Sequence, residues 1–392
     1  MRETASDARA DLRAAVRAFC AEHDPAATSR AAFLSARFDA GLAAVHYPVG
    51  HGGRGLPRTL QPVAEEEFAR AGAVRPDDRR NVIGLGMAAP TIIAFGSDEQ
   101  KSRWLKPLWL AEEIWCQLFS EPGAGSDLAG LATRAVRDGD DWVVNGQKVW
   151  TSLAHHARWG LLLARTDPDV PKHKGLTMFI VPMDSPGVTV RGLRQISGEA
   201  EFNEVFFDDV RLDADAVVGG VGNGWGTALT VLMYERLTIG FGSEGFGSPT
   251  RLAQTLAADD GARHDADARR RLGEVITELL AVRYNGYRAL TALSRGQIPG
   301  PEAGLAKVTM VNAAIAATDL GADVVGPDAL GADSEWSYLI SFLPGLKSAG
   351  GTEQVLRNTI GERVLGLPPE PRLDKGVPFS ELRAMEKQAV TS

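Results

Sequence analysis

Leu12, Val16 and Phe19 lie on one stripe of an Ala- and Arg-rich segment, the spacing of a helix that buries one face. Pro48 and the cluster Gly50, Gly52, Gly53 and Gly55 then impose a loop, and Leu60 to Ala71 resumes the helical period. Helix-like apolar spacing continues to about Trp115, where the texture shortens. Trp142-Val143-Val144 and Gln147-Lys148-Val149-Trp150 flank Asn145-Gly146, a dipeptide suited to a type I′ turn, so the pattern predicts a β-hairpin there. Gly160 to Ala164, Thr177 to Val181, Val188 to Val190 and Glu204 to Phe207 read as further short strands, with turns at Asp138-Gly139 and Pro186-Gly187. From about Gly224 long amphipathic stretches return. Leu272, Val275, Ile276, Leu279 and Val282 form one seam and Val308, Val311 and Ile315 another, as in an antiparallel bundle. The charged run Asp259 to Arg271, interrupted by Gly261, reads as a solvated connection between helices. The order predicts an α+β chain in three parts: an N-terminal helical domain over 1–115, a small all-β domain over 116–220 and a C-terminal helical bundle over 221–392.

With 392 residues, 44% of them apolar, the chain can bury a large core in two or three packed units. Its net charge of −8 comes from 42 basic and 50 acidic residues spread along most of the length, which argues against a nucleic-acid surface. The N-terminal segment carries Arg2, Glu3, Asp7, Arg9, Asp11, Arg13 and Arg17, from which no signal-peptide apolar region can be built. No run of about 18 uncharged apolar residues occurs, so no membrane span is expected. Two cysteines, Cys20 and Cys116, without zinc-ligand spacing read as small core residues in a reducing, cytoplasmic setting. His155-His156 is not expected to bind metal, because adjacent residues of a strand point to opposite faces.

The segment Gln117-Leu118-Phe119-Ser120-Glu121-Pro122-Gly123-Ala124-Gly125-Ser126-Asp127 holds the first candidate chemistry. Pro122 and two glycines expose backbone N–H groups at the entrance to the β domain, with Ser120 and Ser126 as hydroxyl donors. Such a loop either cradles a pyrophosphate and a polar ring edge or is an ordinary turn. It is not a GxGxxG dinucleotide fingerprint, and Gly84-Leu85-Gly86 is not one either, since no strand precedes it.

Ser120 to Asp127 resembles the flavin-binding signature of the acyl-CoA dehydrogenase family. Lys148-Val149-Trp150-Thr151-Ser152, Tyr234-Glu235-Arg236-Leu237, Gly350 to Asn358 and Gly361-Glu362-Arg363 resemble further family segments at family spacing. The resemblance implies a helical domain, a central β-barrel and a C-terminal four-helix bundle, assembled as dimers or tetramers. It implies FAD held by Gln117, Phe119, Ser120, Gly125 and Ser126. Trp150 would then cover the dimethylbenzene end of the ring, Ser152 would lie near flavin N5, and Thr352 and Gln354 would contact the other side. Ser126, Tyr234 and Arg236 would meet the acyl-CoA substrate. Electrons would pass to an electron-transfer flavoprotein, in lipid or steroid catabolism.

Many members place the catalytic Glu immediately before the Gly-Thr of the last segment. Here that position is Gly350, which cannot take a proton. A subset of the family carries its Glu at the position matching Glu235. Val231, Glu235 and Ile239 are four apart, so this carboxylate lies on an apolar helical stripe, where partial desolvation makes it a better base. By resemblance, the backbone N–H of Gly350 and a flavin ribityl hydroxyl stabilise charge on the thioester oxygen. Glu235 would take the α-proton while hydride leaves the β-carbon.

A second departure concerns assembly. Many relatives carry Arg-x-x-Phe-Gly about 25 residues after the Glu235 site and use it to reach a neighbouring subunit's FAD. Here the region reads Asp259-Asp260-Gly261-Ala262-Arg263-His264-Asp265. With Ala349-Gly350-Gly351-Thr352, it resembles actinobacterial-type relatives that act on bulky, sterol-derived acyl-CoAs, some as mixed tetramers. A flavin monooxygenase or acyl-CoA oxidase on the same fold, and a partner subunit that completes another chain's FAD site, are the competing readings.

Overall fold

The computed structural model describes residues 2–76, 80–241, 249–295, 297, 300–372 and 374–391. Contacts divide the chain into two compact units. The first runs from the N-terminus through Leu193 and adds Glu201–Val231 and the segment from Asp374 onward; the second comprises Arg194–Ala200 and Leu232–Leu373.

The first unit opens with helices α1 (Arg2–Glu22), α2 (Arg30–Asp39), α3 (Gln61–Arg70), α4 (Ala89–Phe95) and α5 (Asp98–Trp109). The predicted stripe Leu12, Val16 and Phe19 is buried with Phe33, Leu34 and Phe68 in one core. Ser97 begins α5 with a capping box: its hydroxyl accepts from Gln100 N while the Gln100 side chain accepts from Ser97 N. The same Gln100 amide donates to the carbonyls of Asp215 (2.7 Å) and Val217 (2.9 Å), which ties the helices to the β part of the unit.

The strands are β1 (Trp115–Leu118), β2 (Arg134–Asp138), β3 (Asp141–Ser152), β4 (Trp159–Arg165), β5 (Leu176–Pro182), β6 (Val188–Leu193), β7 (Phe202–Leu212) and β8 (Val217–Val218). They pair in the order β6-β7-β3-β2-β4-β5-β8, with β1 parallel to β4. Leu118, Val144, Leu162, Phe179, Val205 and Val210 share one core, so the sheet wraps a single interior as expected of a barrel. Its strand order is nevertheless open, ending at β6 and β8. The turns at Asp138-Gly139 and Pro186-Gly187 form, with Gly139 and Gly187 at positive φ.

The hairpin expected at Asn145-Gly146 does not form. Both residues lie inside the continuous strand β3, at a bulge against β7. Gly146 is required there for close approach: a Cβ would lie 2.4 Å from Thr133 Oγ1. Asn145 faces Asp209, donating to its carboxylate (2.9 Å) and accepting from its backbone N–H (3.1 Å). A turn dipeptide has been used for a strand irregularity.

Helix α6 (Gly224–Phe241) precedes the second unit's helices α7 (Pro249–Ala258), α8 (Ala266–Ser294), α9 (Gly304–Val325), α10 (Glu335–Leu346) and α11 (Glu353–Arg363). Helix α9 is central, and α7, α8, α10 and α11 all pack on it. Gly321 lets α10 approach, since a Cβ there would meet the Trp336 ring at 2.1 Å. Among the described residues, Gly304–Leu330 is long and apolar enough to cross a membrane by length and composition, but half of it is buried within the protein. Its apolar surface therefore has a bundle to cover it. The charged run after α7 is shorter than its composition suggests, because Ala266 already begins α8; Asp259 and Asp265 accept from Ala262 N and Asp267 N in local turns.

The last helix, α12 (Phe379–Thr391), belongs to the first unit although it comes after the bundle in sequence. Phe379 N donates to Val170 O, Ser380 N donates to Pro168 O, and the Phe379 ring lies 3.6 Å beneath the Arg165 guanidinium.

Candidate active site

Gln117, Phe119, Ser120, Gly125, Ser126, Trp150 and Ser152 all lie in the first unit. Strand β1 delivers Gln117 and the buried Phe119, and the chain then closes a tight loop in which Glu121 and Ala124 exchange both backbone hydrogen bonds at 3.0 Å. Ser126 and both loop glycines are exposed. Neither Gly123 nor Gly125 has a positive φ, and a Cβ at either would meet nothing within 4 Å. The folded chain among the described residues therefore gives no reason for glycine at these two positions.

Val149 N donates to Ser120 O (2.9 Å), which places the loop against the end of β3. One residue further, Trp150 adopts φ +60° where the β3–β7 register shifts, and its indole is 62% exposed. The bulge thus holds a bulky residue in the left-handed region and turns it outward. Phe202 supports the indole edge-on at 6.1 Å. Buried Asn203 anchors the end of β3 beyond the indole: its amide donates to Thr151 O (3.2 Å) and Glu201 O (2.8 Å), and its oxygen faces His155 Nδ1 at 2.9 Å. His155 and His156 lie in a short 3₁₀ turn rather than a strand, so their rings sit side by side at 4.0 Å, not on opposite faces as expected.

Three buried groups set this loop. The Lys148 ammonium donates to Phe119 O and to the Glu121 carboxylate, both at 2.8 Å, and Glu121 also accepts from Ala132 N (2.7 Å) and Thr133 N (2.9 Å). Burial drives the Lys148 pKa down to about 8, although Glu121 opposes the shift. Burial would raise the Glu121 carboxyl, but Lys148 and the hydrogen bonds from Thr133 and Ala132 hold it below the usual value. Arg165 closes the far side, donating from Nε to Leu131 O (3.1 Å), from Nη1 to Lys172 O (3.1 Å) and from Nη2 to Ala129 O (2.6 Å). Sequence reasoning missed Lys148 as a buried group. Its alternation with Trp142 and Val144 on the inward face of one strand was the available signal.

Tyr234, Glu235, Gly350, Thr352 and Gln354 lie in the second unit. Glu235 is half-buried on α6, four residues after the fully buried Val231; the side chains of Arg236 and Ile239 lie outside the described residues. Gly350 and Gly351 take φ +63° and +90°, a turn that favours glycine at both positions. Buried Lys307 on α9 donates to Lys347 O and Gly351 O, each at 2.9 Å, and so fixes the turn. Burial lowers the Lys307 pKa, while Glu353 and Glu235 act to raise it, which puts this ammonium within electrostatic reach of Glu235. Thr352 caps α11, its hydroxyl accepting from Val355 N (3.3 Å), and Gln354 is exposed in the first turn of that helix. Lys307 was missed too. A lysine on the apolar seam of α9 was its signal.

An exposed aromatic beside a glycine-containing loop, on a β unit flanked in sequence by helices, is an arrangement with room for a cofactor beside the β unit. Three family descriptions match in chain order: Acyl-CoA dehydrogenase, N-terminal domain, over residues 5–112; middle domain over 116–210; and C-terminal domain over 222–365. The chain belongs to the acyl-CoA dehydrogenase family, whose members are FAD-dependent enzymes. It is 41% identical to acyl-CoA dehydrogenase IpdE1 of Mycobacterium tuberculosis over 349 residues, which span 85% of this chain and 86% of that protein. Among solved structures it is similar to the Tcur3481-Tcur3483 steroid ACAD (28% identity, TM-score 0.72, 93% of this chain and 98% of that one). It is also similar to a chain of the ChsE4-ChsE5 complex from Mycobacterium tuberculosis (28%, TM-score 0.69, 93% and 98%).

Proposed function

We propose that this chain dehydrogenates a bulky acyl-CoA thioester between its α and β carbons, with Glu235 as the base that takes the α-proton. FAD, when bound, supplies the acceptor for the hydride that leaves the β-carbon. The observation that carries the base assignment is the contrast between two positions of the second unit. Glu235 is a half-buried carboxylate near Lys307, whereas position 350 is a left-handed glycine with no side chain to protonate. The Gly350 N–H is the chain's donor to the thioester oxygen, where charge develops as the α-proton leaves. Tyr234 is the candidate contact for the acyl group, and Ser126 is a further candidate contact for the substrate.

Gln117, Phe119, Ser120, Gly125, Ser126, Trp150 and Ser152 hold FAD, and Thr352 and Gln354 are further candidate contacts. The outward Trp150 indole and two glycines that the fold itself does not require support this reading. Gly125→Ala tests it directly. Folding stability should stay within about 0.5 kcal/mol or rise slightly, as for glycine replaced at an unstrained site. FAD retention should fall about tenfold or more, because a methyl group intrudes on the bound cofactor. Unchanged retention would show that FAD does not approach this backbone.

The steroid substrate of the similar Tcur3481-Tcur3483 enzyme supports a polycyclic or branched acyl group for this one. A panel of acyl-CoAs assayed with an artificial electron acceptor tests that choice, and a preference for short straight chains would overturn it. The physiological acceptor is an electron-transfer flavoprotein. The turn Asp259–Asp265 carries no Arg-x-x-Phe-Gly, and the ChsE4-ChsE5 structure is a complex, which together support a mixed oligomer. Co-expression with a homologous subunit should raise FAD content relative to the chain alone. Full flavin occupancy in a homo-oligomer would refute the need for a partner.

A further inference from the structure

We propose that Glu121 and Lys148 form a buried latch that fixes the 119–126 loop against the Trp150 shelf and thereby positions FAD, an inference resting on the flavin reading of that loop. Lys148 is fully buried on an inward position of β3, where an apolar side chain would avoid the cost of desolvating a charge. It instead holds two points of the loop, Phe119 O and the Glu121 carboxylate. The next residue, Val149, holds a third through its N–H to Ser120 O, and Trp150 comes next, at the bulge. Glu121 extends the tie to the Ala132 and Thr133 amides that lead into β2. Four successive residues, Lys148 to Thr151, thus contain two loop anchors, the shelf and the register shift. Removing the ammonium takes the lysine donor from the Phe119 carbonyl and leaves the Glu121 carboxylate with only the Ala132 and Thr133 amides and no countercharge beside it, so loop and shelf lose their common reference. The other charged group acting on Lys148 is Arg165, whose repulsion Glu121 counters.

The test uses the full-length apo-protein of Lys148→Met and Glu121→Gln. Glu121→Gln turns an amide donor toward a backbone N–H and is the variant to measure should Lys148→Met not fold. Each should weaken FAD binding at least tenfold in a titration. Amide hydrogen exchange in the absence of FAD should rise in 119–127 and 148–152 while β4 and β5 keep their protection. The double variant should bind FAD no more weakly than the poorer single one, because both changes break the same tie. Wild-type affinity in the single variants, or exchange raised throughout the sheet, would overturn the latch and leave the pair a general stabiliser of the β unit. Gly125→Ala serves as the control. If it also leaves FAD affinity unchanged, the flavin assignment of the loop has failed rather than the latch.

Discussion

Replacing Glu235→Gln is expected to leave FAD bound and the flavin spectrum still responsive to substrate, while flavin reduction slows roughly 10²–10⁴-fold, the scale of a lost general base. Glutamine keeps the volume and much of the hydrogen-bonding shape of the half-buried side chain and removes the electron pair that takes the proton. Rapid-mixing measurement of reduction with the best acyl-CoA checks this. A rate near wild type would make Glu235 a structural partner of Lys307 and send the search for the base elsewhere. Moving the carboxylate by Glu235→Gln with Gly350→Glu is expected to recover little. Position 350 sits at φ +63°, and a non-glycine residue there costs about 1–2 kcal/mol. Lys307 also holds this turn through the carbonyls of Lys347 and Gly351.

Arg165→Met should produce the largest loss of stability among the residues around the loop, about 3–5 kcal/mol, by stranding buried groups that the guanidinium now satisfies. Arg165 is 4% exposed and donates to Ala129, Leu131 and Lys172 carbonyls while stacking on Phe379. Burial lowers its pKa to about 10, with Glu121, Asp127 and Asp167 acting in the opposite sense, so it remains charged at neutral pH. Methionine replaces the packing but none of the donors. Urea unfolding should show the midpoint falling with little change in slope. Hydrogen exchange should show the damage reaching two places distant in sequence, the 128–131 end of the loop and the docked helix α12. A shift below about 0.5 kcal/mol, the usual range for an unimportant surface site, would mean that water replaces the lost donors at no cost.

Much of this protein is legible in its residues alone. The period of 3.6 located α1, α3, α8 and α9 and the buried seams on them, because a helix's apolar stripe is written within a few turns of sequence. The segment from Ser120 to Asp127, the glycine at 350 and the glutamate at 235 carry a family resemblance that implies the candidate loop and the candidate base. The same local logic failed at Asn145-Gly146. A glycine that permits a turn is indistinguishable, in one dimension, from a glycine that admits Thr133 to within 2.4 Å of where its Cβ would be. Only the tertiary structure decided that β3 continues through it and reaches the bulge that turns Trp150 outward. It also decided the pairing of Lys148 with Glu121, the grip of Lys307 on the Gly350 turn, and the return of α12 to Arg165. Those contacts join residues from 27 to more than 200 positions apart, as with Glu121 to Lys148 and Arg165 to Phe379. Periodicity and turn chemistry act over a few residues, whereas buried charges find their partners only where the folded chain brings distant segments together.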